Sequence, residues 1–334
     1  MKKALVVDLS YQVARNMSVP TLAALRTKDK VRTGGLFGTL KTIYTAAKAG
    51  HYDKIICCMD SYPAFRKQLF PNYKHSRKSN PDSPEYQSYV AEDAWGWSEK
   101  KAKHFTFDEL KDILPKLCVQ VIIQENVEGD DLVYQTCKVL TDEGYECYAM
   151  SDDKDYLQLI NLVPNLKVYR AMKGETITKE NFLESCDVPY NWFIYYKAMC
   201  GDSSDEIPGI AKGLGEASIK EFIKYADSLG INPDNKEVVY GKLLNLVKIY
   251  DGKSAGRVKK IDESALEILK KNIRLMDFRE CPYGEGKKEE LNKLLHEPLK
   301  LDLEYVMSKF KKYEFGSIAS MLFDSTFKRL EKAN

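Results

Sequence analysis

Val119-Gln120-Val121-Ile122-Ile123, followed by Glu128-Gly129-Asp130-Asp131 and then Leu132-Val133-Tyr134-Gln135-Thr136-Cys137-Lys138-Val139-Leu140, is the stretch that decides how this chain is read. The first run is short and apolar, as a buried strand is, and the last reads as a helix. Glu128, Asp130 and Asp131 therefore stand where a strand ends and a helix begins, which is where open α/β sheets bind ligands. Glu128 and Asp130 alternate by two, so an extended chain points both the same way. Acids also suit a helix N-terminus, because they complement its dipole. The stretch alone leaves a simple capped helix open.

The same pattern recurs. Lys3 to Leu9 is a short apolar strand ending in Asp8, and Lys54 to Met59 is a second one followed by Asp60. Tyr145 to Met150 is another, followed by Ser151-Asp152-Asp153-Lys154-Asp155, and Leu166 to Arg170 is a further strand. Asp152 reads as the cap of a short helix rather than a ligand. Between these strands, Gly34-Gly35 opens a helix with Leu36, Phe37, Leu40, Ile43, Tyr44 and Ala47 on one face, while Ser10 to Asp29 reads as polar and irregular. Alternating strands and helices predict an α/β fold, a mostly parallel central sheet flanked by helices.

After about Asp187 the strands stop. Helices are predicted over Val188–Cys200, Glu216–Leu229, Glu237–Tyr250, Glu263–Met276, Lys287–Leu295 and Leu303–Leu330, with Gly252 to Lys260 a basic connection. The expected division is an α/β domain over 1–186 and a helical region over 187–334.

Composition bounds the partners. The 334 residues carry 51 basic and 49 acidic side chains, a net charge of +2, so only local segregation can argue for nucleic acid. The N-terminus runs straight into a strand, and no apolar run is long enough for a signal peptide or a bilayer span; a cytoplasmic protein without a membrane partner is expected. The 8 cysteines form no C-x-x-C pair and there are 4 scattered histidines, which argues against zinc and for reduced core thiols.

Local segregation is present. Ser61 to Pro81 contains no acid but holds Arg66, Lys67, Lys74, Arg77 and Lys78 among Tyr62, Phe65, Phe70 and Tyr73. Bases interleaved with aromatics suit phosphate contact and base stacking. Glu85 to Lys116 then reads as helical but interrupted at Trp95-Gly96-Trp97, two tryptophans expected to pack rather than stack. In the helical half, the glycines and proline from Gly201 to Gly215 demand a shaped loop. Two helices joined by such a loop offer backbone N–H groups to a phosphate.

If the strand-end acids converge with Asp202 and Asp205, the pocket is strongly anionic and its carboxylates raise one another's pKa. Hard divalent ions such as Mg²⁺ or Mn²⁺ resolve that conflict through oxygen ligands. Two ions about 4 Å apart can activate a water and stabilise the leaving oxygen of a phosphodiester.

The chain resembles the 5′→3′ exonuclease/flap endonuclease family, most of all its bacteriophage members. The resemblance lies in Val6-Val7-Asp8, Met59-Asp60 with Tyr73-Lys74 and Arg77 downstream, Glu128-Gly129-Asp130-Asp131, Asp153-Lys154-Asp155, and Gly201-Asp202-Ser203-Ser204-Asp205-Glu206-Ile207-Pro208-Gly209. Each motif is weak alone; all of them in order over roughly residues 4 to 220 are specific.

That resemblance implies a structure-specific 5′ nuclease of DNA replication or repair with a PIN-like core. It implies a helical arch over about 61–116 and a helix–three-turn–helix over about 190–228. Carried over by position, Asp8, Asp60, Glu128 and Asp130 would hold a first Mg²⁺ or Mn²⁺, with Asp131 close by; Asp153, Asp155, Asp202 and Asp205 would serve a second. Lys74 and Arg77 would stabilise the scissile phosphate. Arg15, Arg66, Lys67, Tyr73, Gly209, Lys212, Gly213, Gly215 and Lys220 would meet nucleic acid, with K⁺ on the loop carbonyls. The implied partners are branched or 5′-ended duplex DNA, an RNA–DNA hybrid and replication proteins, for a monomeric enzyme. Ala14, Glu206 and Ala217 depart from the family's aromatic, Asn and Lys, which touches grip rather than hydrolysis. Against this stand two alternatives: a ribonuclease of related acid-rich α/β fold, and a branched-DNA-binding protein without catalysis.

Overall fold

The computed structural model describes residues 1–74, 81 and 83–333. Six strands form a single sheet in the order β3-β2-β1-β4-β5-β6: β1 (Lys3–Asp8), β2 (Lys54–Cys58), β3 (Gln120–Ile122), β4 (Glu146–Met150), β5 (Lys167–Arg170) and β6 (Glu175–Ile177). All neighbours run parallel except β6, which pairs antiparallel with β5. The sequence reading did not anticipate β6; at three residues it is too short to show a period.

The central strand explains the architecture. Ala4 and Val6 face one side with Ile56, Cys58 and Ala149, while Leu5 and Val7 face the other with Ile55, Cys57 and Met150. These side chains are essentially fully buried, each stabilising the fold by about 1.5–3 kcal/mol for the larger ones. Both faces being apolar, alternation does not set the register. The strand's ends do, because a slip would draw Asp8 into the core.

α4 (Gly129–Asp142) packs directly on the first face, and the core there continues outward into the helical half of the chain: α5 (Phe193–Cys200), α6 (Glu216–Ser228), α7 (Lys236–Ile249), α8 (Glu263–Met276) and α9 (Glu285–Leu295), the last against β3. The second face carries α1 (Leu9–Ser18), α2 (Gly34–Gly50) and α3 (Glu99–Ile113), and it also takes α10 (Leu303–Lys312) and α11 (Ser325–Ala333). Residues 187–334 thus divide between both faces: Val306, Phe310, Phe315, Phe327 and Leu330 complete the core of the α/β half.

Two further elements differ from the sequence reading. Ser10 to Asp29 was expected to be irregular, yet α1 fills its first part. Asp8 Oδ1 accepts the Tyr11 N–H at 2.8 Å and caps the helix. Its inner face mixes Leu9 and Val13 with buried Gln12 and Asn16, which hides the apolar period. The expected helix over Leu303–Leu330 is broken: Glu314 takes φ 61°, and a 3₁₀ segment (Gly316–Leu322) intervenes before α11. That break seats Phe315 edge-on against Phe37 at 5.3 Å. No helix among the described residues is long and apolar enough to cross a membrane.

Candidate metal centre and nucleic-acid surface

Strand order builds the site. The chain steps outward from β1 to β2 to β3, then returns to place β4 on the opposite side of β1. The switch point falls at β1, between β2 and β4, and ligands bind outside the carboxyl ends at such a point. Asp8 closes β1 there. Asp60 follows β2, Glu128 and Asp130 follow β3, and Asp153 follows β4.

Asp8, Asp60, Asp130 and Asp153 face one cup. Burial and the charges of Asp60 and Asp153 push the Asp8 carboxyl up to about 7, against the lowering effect of the Tyr11 N–H. Burial, then the Asp8, Asp60 and Asp153 charges, hold Asp130 well above the usual carboxylate range, with Lys74 acting the other way. Burial and Asp155 raise Asp153 as well. Tyr156 braces the cup by donating to Asp130 Oδ1 at 2.6 Å. Ser151 Oγ stands 3.4 Å from Asp8 Oδ2. Asp60 Oδ1 accepts the Gly129 N–H at 2.7 Å, and a Cβ on Gly129 would lie 2.7 Å from that same oxygen. Only glycine lets α4 begin so close to Asp60.

The remaining acids are already paired. Glu128 receives Arg66 Nη1 at 2.5 Å and Lys74 Nζ at 2.6 Å. Burial would raise Glu128, but those two cations more than offset it and keep its pKa below the usual value. Asp131 holds Arg66 bidentately at 2.5 and 2.8 Å. Arg66 Nε donates to Leu275 O at 2.7 Å, tying α8 to the site. Asp155 and Asp202 share Lys197 at 2.7 and 3.3 Å; burial lowers that lysine's pKa, and the two acids return it above the ordinary value. Asp205 Oδ2 lies 3.2 Å from the Tyr73 hydroxyl, which is 3.3 Å from Glu128 Oε1.

This arrangement corrects part of the expected nucleic-acid surface. Arg66 is 5% exposed and Tyr73 3%, so neither faces a ligand strand; both hold acids in place. Their basic-aromatic neighbourhood looked like a binding loop because composition does not show which bases turn inward. Asp131, expected near an ion, is committed to Arg66. Lys220 pairs with Glu216 at 3.0 Å. Arg15 and Lys67 are half-buried, while Lys212 is exposed. Arg77 lies outside the described residues.

Sequence reasoning missed Tyr156 and Lys197. The signal for Lys197 was present: it is the lone charge in the otherwise uncharged Phe193–Cys200.

The loop after α5 is shaped as its glycines require. Asp202 and Ile207 exchange N–H···O bonds at 2.8 Å each. Gly201 sits at φ 72°, where a Cβ would come within 2.5 Å of Gly209 N and Ile207 O. Asn272 on α8 donates to Ala198 O at 2.8 Å and to Pro208 O at 2.7 Å, fixing both ends of the turn. Gly213 takes φ 79°, and Gly215 starts α6 with no side-chain cap. Gly209, Lys212, Gly213 and Gly215 all lie on the surface.

Among the described residues no three acids already stand together as an ion's ligand set. Their chemistry nevertheless fits a hard divalent ion. Every candidate donor is a carboxylate oxygen, and the charge on Asp8, Asp60, Asp130 and Asp153 is met inside the protein only in part. The neighbouring Cys58 thiol, pushed up to about 12 by burial and by Asp8, is no thiolate ligand.

Fold and site together define an acid-lined α/β nuclease core. The chain belongs to the 5′-3′ exonuclease family: residues 3–187 match the model of that family's N-terminal, resolvase-like domain. It is therefore a hydrolase of the nuclease class. It is 24% identical over 320 residues to a 5′-3′ exonuclease of Aquifex aeolicus, spanning 93% of this chain and 96% of that one. It is 28% identical over 248 residues to a DNA polymerase I of Borreliella burgdorferi, covering 72% of this chain but only 25% of the polymerase. Its fold is that of the bacteriophage T5 flap endonuclease crystallised with DNA and metal ions, at TM-score 0.59 and 18% identity, covering 97% of this chain and all of that one (100%).

Proposed function

We propose that this chain hydrolyses phosphodiester bonds at 5′ ends and 5′ flaps of DNA, using two Mg²⁺ or Mn²⁺ ions, in DNA replication or repair. The observation that carries the reading is the cup itself: acids from neighbouring strand ends, gathered at the switch point and short of compensating cations. Asp8, Asp60 and Asp130 would hold one ion with Glu128 beside them. Asp153, Asp155, Asp202 and Asp205 would hold the other. Bound there, the ions would supply a water of lowered pKa and a counter-charge for the leaving oxygen.

The chain's own residues orient the reaction. Glu128 keeps Lys74 charged and aimed at the cup's rim, where its ammonium can neutralise a phosphate oxygen. Carried over from the family's motif, Arg77 would add a second cation toward the scissile phosphate. Tyr156 fixes one oxygen of Asp130 and leaves the other for an ion. The surface loop over 209–215 grips the duplex backbone through its N–H groups, with K⁺ on its carbonyls. The enzyme acts as a cytoplasmic monomer, accepts an RNA–DNA hybrid, and works beside replication proteins.

The test is digestion of a 5′-labelled flap, a nicked duplex and an RNA–DNA hybrid, with Mg²⁺ and with chelator. Cutting of the flap in Mg²⁺ alone is expected, with Asp130→Asn inactive yet still binding. Full activity in that variant overturns the assignment of Asp130.

A further inference from the structure

Trp95 is 53% exposed, whereas its neighbour Trp97 packs edge-on against Phe105 at 5.5 Å. The turn that carries the exposed indole is ordered. Asp93 Oδ1 accepts the backbone N–H groups of Trp95 at 2.9 Å and Trp97 at 3.1 Å, and Gly96 at φ 74° closes the turn. Asp93 Oδ2 also takes Arg26 Nη2 at 2.5 Å. That guanidinium lies 4.9 Å from the indole centroid, and Lys30 Nζ lies 5.7 Å from it.

The charge around the ring is positive. The loop closed by the Arg26–Arg32 bridge carries Arg26, Lys28, Lys30 and Arg32 with one acid of its own, Asp29, and the Glu314 carboxylate lies 3.2 Å from the Lys28 backbone N. Of the acids on the Trp95 side, Asp93 is paired with Arg26, and Glu92 with Lys101 at 2.5 Å. Lys28 and Lys30 remain exposed.

Topology puts this patch at the working end of the sheet. From Gly34, α2 runs back toward the amino end of β2; from Glu99, α3 runs back toward the amino end of β3. The loops before them therefore stand at the carboxyl end, on the side of the acid cup.

We infer that Trp95 and Lys30 form a stacking platform for an unpaired base of the strand that enters the cup, Lys30 meeting the adjoining phosphate. The inference rests on the 5′-nuclease reading. Any base can stack on an indole, so the contact is sequence-tolerant, and the backbone turn that carries the ring is already ordered by Asp93 before binding.

The probe is a 5′-flap duplex whose flap is oligothymidylate, titrated against the full-length chain in chelator. Trp95→Ala is expected to raise Kd about 5- to 150-fold, with no change in melting temperature. Lys30→Ala should lower the slope of log K against log salt by about 0.7. In the unaltered protein, the oligothymidylate flap should shield indole emission from iodide. A Kd for Trp95→Ala within twofold of the parent, or iodide quenching indifferent to the flap, overturns the platform. Cleavage in Mg²⁺ is scored separately: a parent that cuts while Trp95→Ala binds normally refutes the platform alone. A parent that binds through Trp95 but never cuts refutes the nuclease reading alone.

Discussion

Replacing Arg66 by methionine should destabilise the protein by about 3–5 kcal/mol at neutral pH, the cost of removing one partner of a buried ion pair. The structure sets that scale. Arg66 is 5% exposed, and it holds Glu128 and Asp131, at 4% and 2%, through contacts of 2.5, 2.5 and 2.8 Å. Methionine keeps much of the apolar stem, so the loss is mainly electrostatic. Lys74 still reaches Glu128, but Asp131 is left with a bare charge, and Leu275 O loses its donor.

Protonation caps the penalty. Neutralising one ordinary aspartate at pH 7 costs about 4 kcal/mol, from about three pKa units at 1.36 kcal/mol each. At pH 4.5 the same step costs under about 1 kcal/mol, so the difference between parent and variant must shrink in acid. The sign agrees with the parent. Its Glu128 pKa is depressed in the fold, so that stability is present above the unfolded value and lost as pH falls through the folded one. Urea unfolding of both proteins at pH 7 and pH 4.5 measures this. A difference below about 1 kcal/mol at pH 7, or one that does not shrink at pH 4.5, refutes the reasoning.

Gly129→Ala should leave the chain folded but displace Asp60, since the new Cβ would lie 2.7 Å from its Oδ1; a nuclease rate unchanged from the parent would contradict the close approach. In chelator, the stability of the parent relative to Asp8→Asn should fall by about 2–4 kcal/mol between pH 4 and pH 7, because folded Asp8 keeps its proton up to about 7 and the unfolded chain does not; a difference that rises over that window excludes the burial and repulsion invoked here. Lys197→Met should lower the melting temperature of the metal-free protein, since Asp155 and Asp202 share that lysine. Millimolar Mg²⁺ should then raise the variant's melting temperature more than the parent's, an ordering that differential scanning calorimetry checks directly.

Strand-end acids were legible because an apolar run followed by a carboxylate is a local signal, and it recurs at Asp8, Asp60 and Asp153. Which cation each acid meets was not legible. Arg66 is 62 residues from Glu128, and nothing in a basic, aromatic stretch says that one arginine turns inward. Gln12 and Asn16 concealed α1 for a related reason. A buried face that carries two amides, Asn16's bonded to the Gln12 carbonyl and to Thr39, reads as a polar one. The apolar residues of α10 and α11 were visible, but their partner was not: Phe310 and Phe327 could serve any core, and only the chain's return path brings them to the second face of the sheet.

The cup depends on strand order more than on any one acid. Asp8 has β2 on one side and β4 on the other, so Asp60 and Asp153 arrive from adjacent strands. Had the strands followed chain order, β4 would lie three places from β1, about 14 Å away at the usual spacing between neighbours. At that distance, beyond a Debye length in physiological salt, Asp153 would add little to the repulsion at Asp8. The crossover from β3 to β4 thus does what no local motif can. It concentrates like charge at Asp8, Asp60, Asp130 and Asp153, while Arg66, Lys74 and Lys197 pair with the acids around them.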